Sequence, residues 1–205
     1  MDIELFNSNM NDLLAGREVD LPEFDFVEGT KTFGKRIMAI REDQPIIIEG
    51  IHALNGKLTE AIPDEEKFRI YISPFTQLNI DMHNRVPTTD ARMLRRMVRD
   101  YKYRGKSAAG TIDQWSQVRA GEDENIFPFN GEADVVFNTV LTYELAVLKK
   151  YAQPLLEEIK EDQPEYSEAR KLLELISGFD IIEDERAIPN NSILREFIGG
   201  SIFVE

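Results

Sequence analysis

Basic residues are concentrated in one short stretch of an otherwise acidic chain. The 205 residues carry a formal net charge of −14, yet Asp100 is the single acid between Arg92 and Lys106. The cations of this stretch are Arg92, Arg95, Arg96, Arg99, Lys102, Arg104 and Lys106. On a helix, its first four arginines recur every three or four residues and share one face. Such a face predicts either an anion-binding surface or a solvated helix whose arginines pair with carboxylates such as Asp100.

A basic helix followed by a basic, flexible loop suits a lid that closes over phosphates. The segment Arg104-Gly105-Lys106 places two cations around a glycine directly after the predicted helix. Closure of such a lid excludes water and stabilises charge on a phosphoryl group in transfer. The apolar residues between the arginines are predicted to pack on the core, and they are Met93, Leu94, Met97 and Val98.

A second candidate for chemistry is the acid that follows a short apolar run. The run Ile46–Ile48 predicts a central strand of a parallel sheet, and Glu49 stands at its carboxyl end, where such sheets bind ligands. A carboxylate there can orient a water on Mg²⁺ or accept a hydrogen bond from a substrate hydroxyl, unless it only caps the next helix. His52, Phe127 and Phe129 are candidates for the wall of a substrate pocket, although such residues more often only pack.

One expected phosphate-binding element is missing from the sequence. No G-x-x-x-x-G-K-[ST] motif occurs, and Gly199-Gly200 is not followed by lysine. Because that motif provides the backbone cradle for the β- and γ-phosphates, a chain with a lid and an acid but no cradle is not a complete phosphotransferase.

Strands and helices alternate along the chain, and these elements must position the candidate residues. We predict strands at 45–50, 68–73 and 133–138, and an extended segment at 21–26 with a turn at Gly29. We predict helices at 2–14, 74–85, 88–103, 111–119, 143–159 and 165–176, with Pro154 kinking or interrupting the fifth. The tail 192–203 is predicted to pack back onto the domain. This alternation indicates an α/β fold with a parallel sheet.

Composition narrows the class of protein. The absence of cysteine excludes disulfides and thiolate metal sites, and no apolar run reaches the roughly 18–20 residues of a membrane span. The strong negative charge argues against binding to nucleic acid or to an anionic membrane. The acidic N-terminus is unlike a secretory leader. We therefore expect a single cytoplasmic domain over 1–205 with small-molecule ligands.

Several motifs follow one another in an informative order. They are Glu49–Leu54, Arg95–Asp100, Arg104–Lys106, Phe127–Phe129 and Ala133–Val136, preceded by Leu21–Phe26. This order resembles that of uridine kinases in the phosphoribulokinase family. The tail Ser192–Ser201 is similar to that of a bacterial branch of uridine-kinase-related proteins.

The resemblance implies a partial P-loop-kinase-type doubly wound parallel sheet with flanking helices. It also implies a helical lid at about 88–120 and a C-terminal helical extension at about 143–205. The implied activity is phosphorylation of the 5′-hydroxyl of uridine or cytidine with ATP and Mg²⁺. Glu49 would lie beside the Mg²⁺. The lid residues that would contact ATP or the transferred phosphoryl group are Arg95, Arg96, Arg99, Arg104 and Lys106. Lys106 replaces an arginine of the family, so the bidentate fork is lost there.

The resemblance also places the phosphate-binding loop and the first strand before residue 2. We therefore expect the chain alone to be inactive, and to be less stable or to associate with itself through an exposed sheet edge. Two alternatives stay open. One is a non-catalytic module that binds a nucleotide or a protein partner, and the other is a kinase for another hydroxyl substrate, such as pantothenate or ribulose 5-phosphate.

Overall fold

A helix and a hairpin form the beginning of the chain in the computed structural model, which describes residues 2–25 and 30–203. The chain falls into two units: the first unit comprises Met1–Tyr71 and Gly121–Val135, and the second unit comprises Ile72–Ala120 and Val136–Glu205. Short 3₁₀ helices lie at Gly56–Thr59, Asp64–Glu66 and Phe127–Glu132, all in the first unit.

The first unit contains a capped helix and an antiparallel hairpin. Helix α1 spans Ile3–Leu14, and the Asp2 carboxylate caps it by accepting a hydrogen bond from the Leu5 N–H at 3.1 Å. Strand β1 (Val19–Asp25) pairs antiparallel with strand β2 (Thr30–Met38). These elements confirm the predicted helix and extended segment, whereas the turn predicted at Gly29 lies outside the described residues. A small core joins them through Met10, Leu13, Val19 and Ile62.

The strand predicted at 45–50 is wrong in this structure, where the segment is irregular. Ile46 and Ile48 are half-buried against the small core, while Ile47 is 87% exposed. A central parallel strand needs a hydrogen-bonded neighbour on each edge and cover on both faces. Among the described residues, no strand pairs with this segment, so one side of it packs and the other faces solvent.

Strands β3 (Ile70–Ser73) and β4 (Val135–Asn138) form a parallel pair, and both were predicted. The Val135 N–H donates to the Arg69 carbonyl at 3.2 Å and the Thr139 N–H to the Ser73 carbonyl at 3.1 Å, so the register advances in the same direction along both strands. The division between the two units runs through β3 and β4. Because the chain also contains several helices, this parallel pair makes it a mixed α/β protein, in agreement with the predicted class.

Helices dominate the second unit. They are α2 (Thr88–Arg104), α3 (Ala108–Asp113), α4 (Trp115–Asn125, whose last turn belongs to the first unit), α5 (Glu144–Glu157), α6 (Tyr166–Ser177) and α7 (Arg195–Ile198). The prediction for 111–119 is corrected, because the helix breaks at Gln114 into α3 and α4. Pro154 lies inside α5 without interrupting it. Fully buried side chains of this core include Leu94, Met97, Leu148, Leu172 and Leu194.

The helix predicted at 74–85 is also wrong, because a local turn replaces it. The Asp81 carboxylate accepts hydrogen bonds from the backbone N–H groups of His83 and Asn84, both at 2.7 Å. The Ile80 N–H donates to the Asn84 carbonyl at 2.7 Å, which closes the turn. Aspartate side chains that satisfy nearby backbone N–H groups compete with helix formation in this way.

The C-terminal tail packs on the helices of the second unit, as predicted. Leu194, Phe197 and Ile198 are buried in its core. The irregular segment before them is held by Glu185, whose carboxylate accepts hydrogen bonds from Tyr151 at 2.6 Å and Lys150 at 3.0 Å. Within the described ranges, none of the helices has the length and apolar character that crossing a bilayer would require.

Candidate functional site

Helix α2 carries the basic residues, and its sequence explains its limits. Ala91, Leu94 and Met97 are fully buried, which fixes the helix on the core of the second unit. The helix ends at Gly105, whose φ of +61° is in the left-handed region that glycine adopts most easily. The Gly105 N–H donates to the Asp100 carbonyl and so caps the last turn.

Arg95 does not share the exposure of the other arginines. Its side chain is 9% exposed, and its guanidinium forms an ion pair with Glu144, whose side chain is 1% exposed. The same guanidinium donates to the Thr139 carbonyl at 3.0 Å and lies over the Phe197 ring, 5.2 Å from its centre. The prediction that the four arginines form one shared surface is therefore corrected, since Arg95 is turned into the core where a buried carboxylate neutralises it.

Three other arginines gather around one buried carboxylate. Asp100 is 1% exposed. Its oxygens lie 3.1 Å from Arg96 Nε, 3.4 Å from Arg99 Nε and 3.1 Å from Arg104 Nη1. The side chains of Arg96 and Arg99 are each 26% exposed and that of Arg104 is 56% exposed, so the arginines extend from a buried anion towards solvent. We call Arg96, Arg99 and Arg104 the arginine cluster.

The C-terminal segment contacts Arg99 and Lys102, and Gln114, which follows α3, contacts Lys106. Glu196 lies 3.5 Å from Arg99 Nη1. Lys102 Nζ donates to the Ile198 carbonyl, and Lys106 Nζ donates to the Gln114 side-chain oxygen. Because the Gln114 amide is neutral, this hydrogen bond does not neutralise the charge of Lys106.

The other predicted site residues belong to the first unit. Glu49 is exposed in the irregular segment, and His52 is half-buried in the turn that follows it. Phe127 and Phe129 are half-buried in the 3₁₀ helix Phe127–Glu132. The arginine cluster and Lys106 lie in the second unit, so neither unit by itself brings these two sets of residues together.

A cleft of about 650 Å³ in the first unit involves none of the predicted site residues. Asp64 lies on its wall with Lys67 Nζ at 3.0 Å and Arg69 Nη2 at 2.5 Å. Hydrogen bonds from Arg69 and Lys67 hold the pKa of the Asp64 carboxyl below its ordinary value. These cations already have an anion, so the cleft lacks an uncompensated charge that would attract a phosphate.

Glu144 and its role were not foreseen from the sequence, whereas pairing of Asp100 with arginines was foreseen and is confirmed. Asp100 stands four residues after Arg96 and four before Arg104, a spacing that predicts contact on a helix. Glu144 is 49 residues from Arg95, and only the packing of α5 on α2 brings them together.

Comparison with known proteins agrees with the motifs. The model of the phosphoribulokinase / uridine kinase family matches residues 1–146. A uridine kinase of Staphylococcus aureus strain JH9 is 31% identical over 136 residues, which are 66% of this chain and 57% of that protein. The uridine kinases of strains Newman and JH1 match to the same extent. The chain thus spans 57% of the length of these relatives. No solved structure matches it.

Proposed function

Because the chain belongs to the phosphoribulokinase and uridine kinase family, we propose that it is part of a cytoplasmic enzyme that phosphorylates a nucleoside with ATP and Mg²⁺. The proposed acceptor is the 5′-hydroxyl of uridine or cytidine. The observation that carries the proposal is the arginine cluster, in which three partly exposed guanidinium groups surround a single buried carboxylate.

The charge balance of this cluster favours an anionic ligand. Three guanidinium groups against one Asp100 carboxylate leave an excess of two positive charges, and Glu196 offsets only part of it from a position 41% exposed. The whole chain carries a net charge of −14, so this local excess of positive charge is opposite in sign to the charge of the chain. Guanidinium groups bind phosphate oxygens with paired N–H donors, and they stabilise charge on a transferring phosphoryl group. The proposed lid over residues 88–120 would bring them to the nucleotide.

The first unit would supply the metal and substrate contacts. We propose Glu49 as the acid beside Mg²⁺, and His52, Phe127 and Phe129 as a wall of the nucleoside pocket. In the parts of the chain that the structure describes, no three His, Asp or Glu side chains converge as a metal site. Mg²⁺ commonly takes one or two carboxylates together with substrate phosphates and water, so a lone exposed Glu49 fits that pattern.

Lys106 is the least conventional of the proposed phosphate ligands. Its ammonium group donates to Gln114, and it provides a point charge instead of the planar fork of arginine. We propose that it contributes long-range attraction for the nucleotide, while Arg96, Arg99 and Arg104 orient the phosphates.

We propose that this chain is inactive by itself, because its sequence lacks the G-x-x-x-x-G-K-[ST] loop. The same observation favours a second candidate function, a non-catalytic module that uses the arginine cluster to bind a nucleotide or a protein partner. A family member that acts on another hydroxyl substrate, such as ribulose 5-phosphate or pantothenate, is distinguished from a uridine kinase by a substrate panel.

The first experiment compares uridine phosphorylation by this chain and by a version extended with its native upstream sequence. With ATP and Mg²⁺, only the extended chain is expected to turn over. If neither chain phosphorylates any hydroxyl substrate of the panel but ATP still binds, the kinase proposal fails and the binding module takes its place.

The role of the cluster is tested by Arg99→Ala in the extended chain. We expect kcat/KM to fall about 10²-fold, because a charge-stabilising donor is lost. The free energy of unfolding should fall by less than about 1 kcal/mol, since the Arg99 side chain is itself partly exposed and Asp100 keeps its contacts with Arg96 and Arg104. Arg186→Ala is the matched control, because that side chain is 90% exposed and pairs only with nearby Asp184 among the described residues. Equal losses of rate and stability in Arg99→Ala would refute the assignment.

A further inference from the structure

Every member of the arginine cluster contacts Asp100. Its carboxylate is buried, and both of its oxygens are used: Oδ2 lies near Arg96, and Oδ1 near Arg99 and Arg104. The contacts with Arg96 and Arg99 involve Nε, the nitrogen nearest the aliphatic stem. A partner at Nε fixes the plane of a guanidinium group and leaves its two terminal nitrogens pointing away from that partner.

In Arg96 and Arg99, the contact with Asp100 therefore leaves both terminal nitrogens for a ligand, whereas Arg104 contacts Asp100 through the terminal Nη1 and keeps Nη2. Arg96 Nε lies 3.1 Å from Asp100 Oδ2 in an ion pair that does not have hydrogen-bond geometry. Arg99 Nη1 approaches Glu196 no closer than 3.5 Å. Arg104 extends further into solvent than the other two arginines. The cluster is therefore held on its buried side and open on its exposed side.

Mutual repulsion makes a central anion necessary for this arrangement. Three like charges attached to neighbouring turns of one helix would otherwise adopt rotamers that separate them. A buried carboxylate within 3.4 Å of all three offsets the repulsion, and Arg104 Nη1 is the one terminal nitrogen of the cluster that it contacts. Donors that are oriented before the ligand arrives need no reorganisation during the reaction, and this preorganisation is what makes them effective.

The backbone of Asp100 links the cluster to the following loop. Its carbonyl accepts the Gly105 N–H and, at 3.1 Å, the Lys106 N–H. One residue thus fixes the guanidinium planes through its side chain and the start of the Lys106 loop through its backbone.

We propose that Asp100 is a positioning residue for phosphoryl transfer, which holds Arg96, Arg99 and Arg104 in the orientation that meets the phosphates. This inference rests on the proposed function. Asp100 touches neither nucleotide nor nucleoside in the proposal and acts only through the arginines.

The kinetic test is Asp100→Asn in the extended, active kinase. The change keeps the shape of the side chain and removes its charge. We expect kcat per folded molecule to fall at least about tenfold, because the donors lose their orientation. KM for ATP should stay within about threefold, because loss of an anion leaves the cluster more positive and does not weaken its attraction for phosphates. Asp100→Glu, which restores the charge, should recover part of kcat.

Asp90→Asn is the matched control at the other end of the same helix. Asp90 is also buried, but it pairs with Lys171 at 3.1 Å and not with the cluster. We expect this variant to lower the melting temperature while kcat per folded molecule stays unchanged. If Asp100→Asn behaves like Asp90→Asn, with only the melting temperature lowered, then Asp100 is merely structural and the inference is overturned.

A second measurement separates this inference from the proposed function. In the 205-residue chain, the Nε–Hε NMR signals of Arg96 and Arg99 report side-chain order without any reaction. We expect both side chains to be ordered in the unchanged chain and mobile in Asp100→Asn. Equal mobility in the two proteins refutes the positioning role, even if the extended chain is an active kinase. If the arginines are ordered in the unchanged chain and mobile in Asp100→Asn, but the extended chain has no kinase activity, only the proposed function is refuted.

Discussion

The buried ion pair between Arg95 and Glu144 allows a quantitative prediction about stability. The two side chains are 9% and 1% exposed, so neither charge can be solvated if its partner is removed. We expect Glu144→Gln to lower the free energy of unfolding by about 3–5 kcal/mol, because it leaves the Arg95 guanidinium buried and unpaired. Since a domain is typically stable by about 5–15 kcal/mol, this is a large part of the total.

The double variant Arg95→Met with Glu144→Gln tests the reasoning more sharply. Replacing a buried ion pair by neutral side chains of similar volume is often close to neutral for stability. We therefore expect the double variant to be more stable than either single variant, although loss of the contacts of Arg95 with Thr139 and Phe197 prevents full recovery.

Urea unfolding followed by tryptophan fluorescence is a suitable assay. Trp115 is the only tryptophan, and it packs against the core of the second unit that contains the ion pair. A loss below about 1 kcal/mol in Glu144→Gln would refute the premise that the charge of Arg95 is buried. Additive losses in the double variant would show that the two side chains do not interact energetically.

Further predictions concern backbone geometry and the partly buried phenol of Tyr151. Gly105→Ala should lower the free energy of unfolding by about 1 kcal/mol. The cause is the left-handed backbone alone, because an added Cβ meets nothing within 4 Å. Gly121 lies within helix α4, where an added Cβ also meets nothing within 4 Å, so Gly121→Ala should raise the free energy of unfolding by about 0.5–1 kcal/mol. Urea unfolding of both variants checks these opposite signs, and the same sign in both would contradict the argument. Burial and the hydrogen bond to Glu185 raise the pKa of Tyr151 to about 12. An unfolded tyrosine ionises near pH 10, so the stability that Tyr151 contributes is complete below that pH and is lost as the pH rises towards 12. The melting temperatures of the unchanged chain and Tyr151→Phe should therefore approach each other as the pH rises from about 10 to about 12, and a constant difference would contradict the raised pKa.

Local signals predicted most helices correctly. The predicted limits of the first helix (2–14) and of the basic helix (88–103) lie within one residue of those observed for α1 and α2. Strands β3 and β4 were also predicted, because β-branched residues flanked by turn residues are distinctive over a short range. These elements depend on interactions between near neighbours, which a sequence displays directly.

The errors arose where distant partners or competing local bonds decide the structure. The apolar run at 45–50 predicts a strand only if other strands lie beside it, and no such strand is among the described residues. At 74–85, side-chain bonds of Asp81 outcompete the helix. The sequence could not reveal which arginine of α2 turns inward, because that depends on Glu144 in another helix. The arrangement of the arginine cluster around Asp100 was predictable, since its four-residue spacing is local.

The packing of the C-terminal segment on α2 has a consequence for truncated variants. Removal of residues 190–205 leaves every predicted site residue in place. It would nevertheless remove Leu194, Phe197 and Ile198 from the core and the carbonyl that Lys102 contacts. A variant without residues 190–205 should therefore have a lower free energy of unfolding than the unchanged chain, although it keeps every predicted site residue.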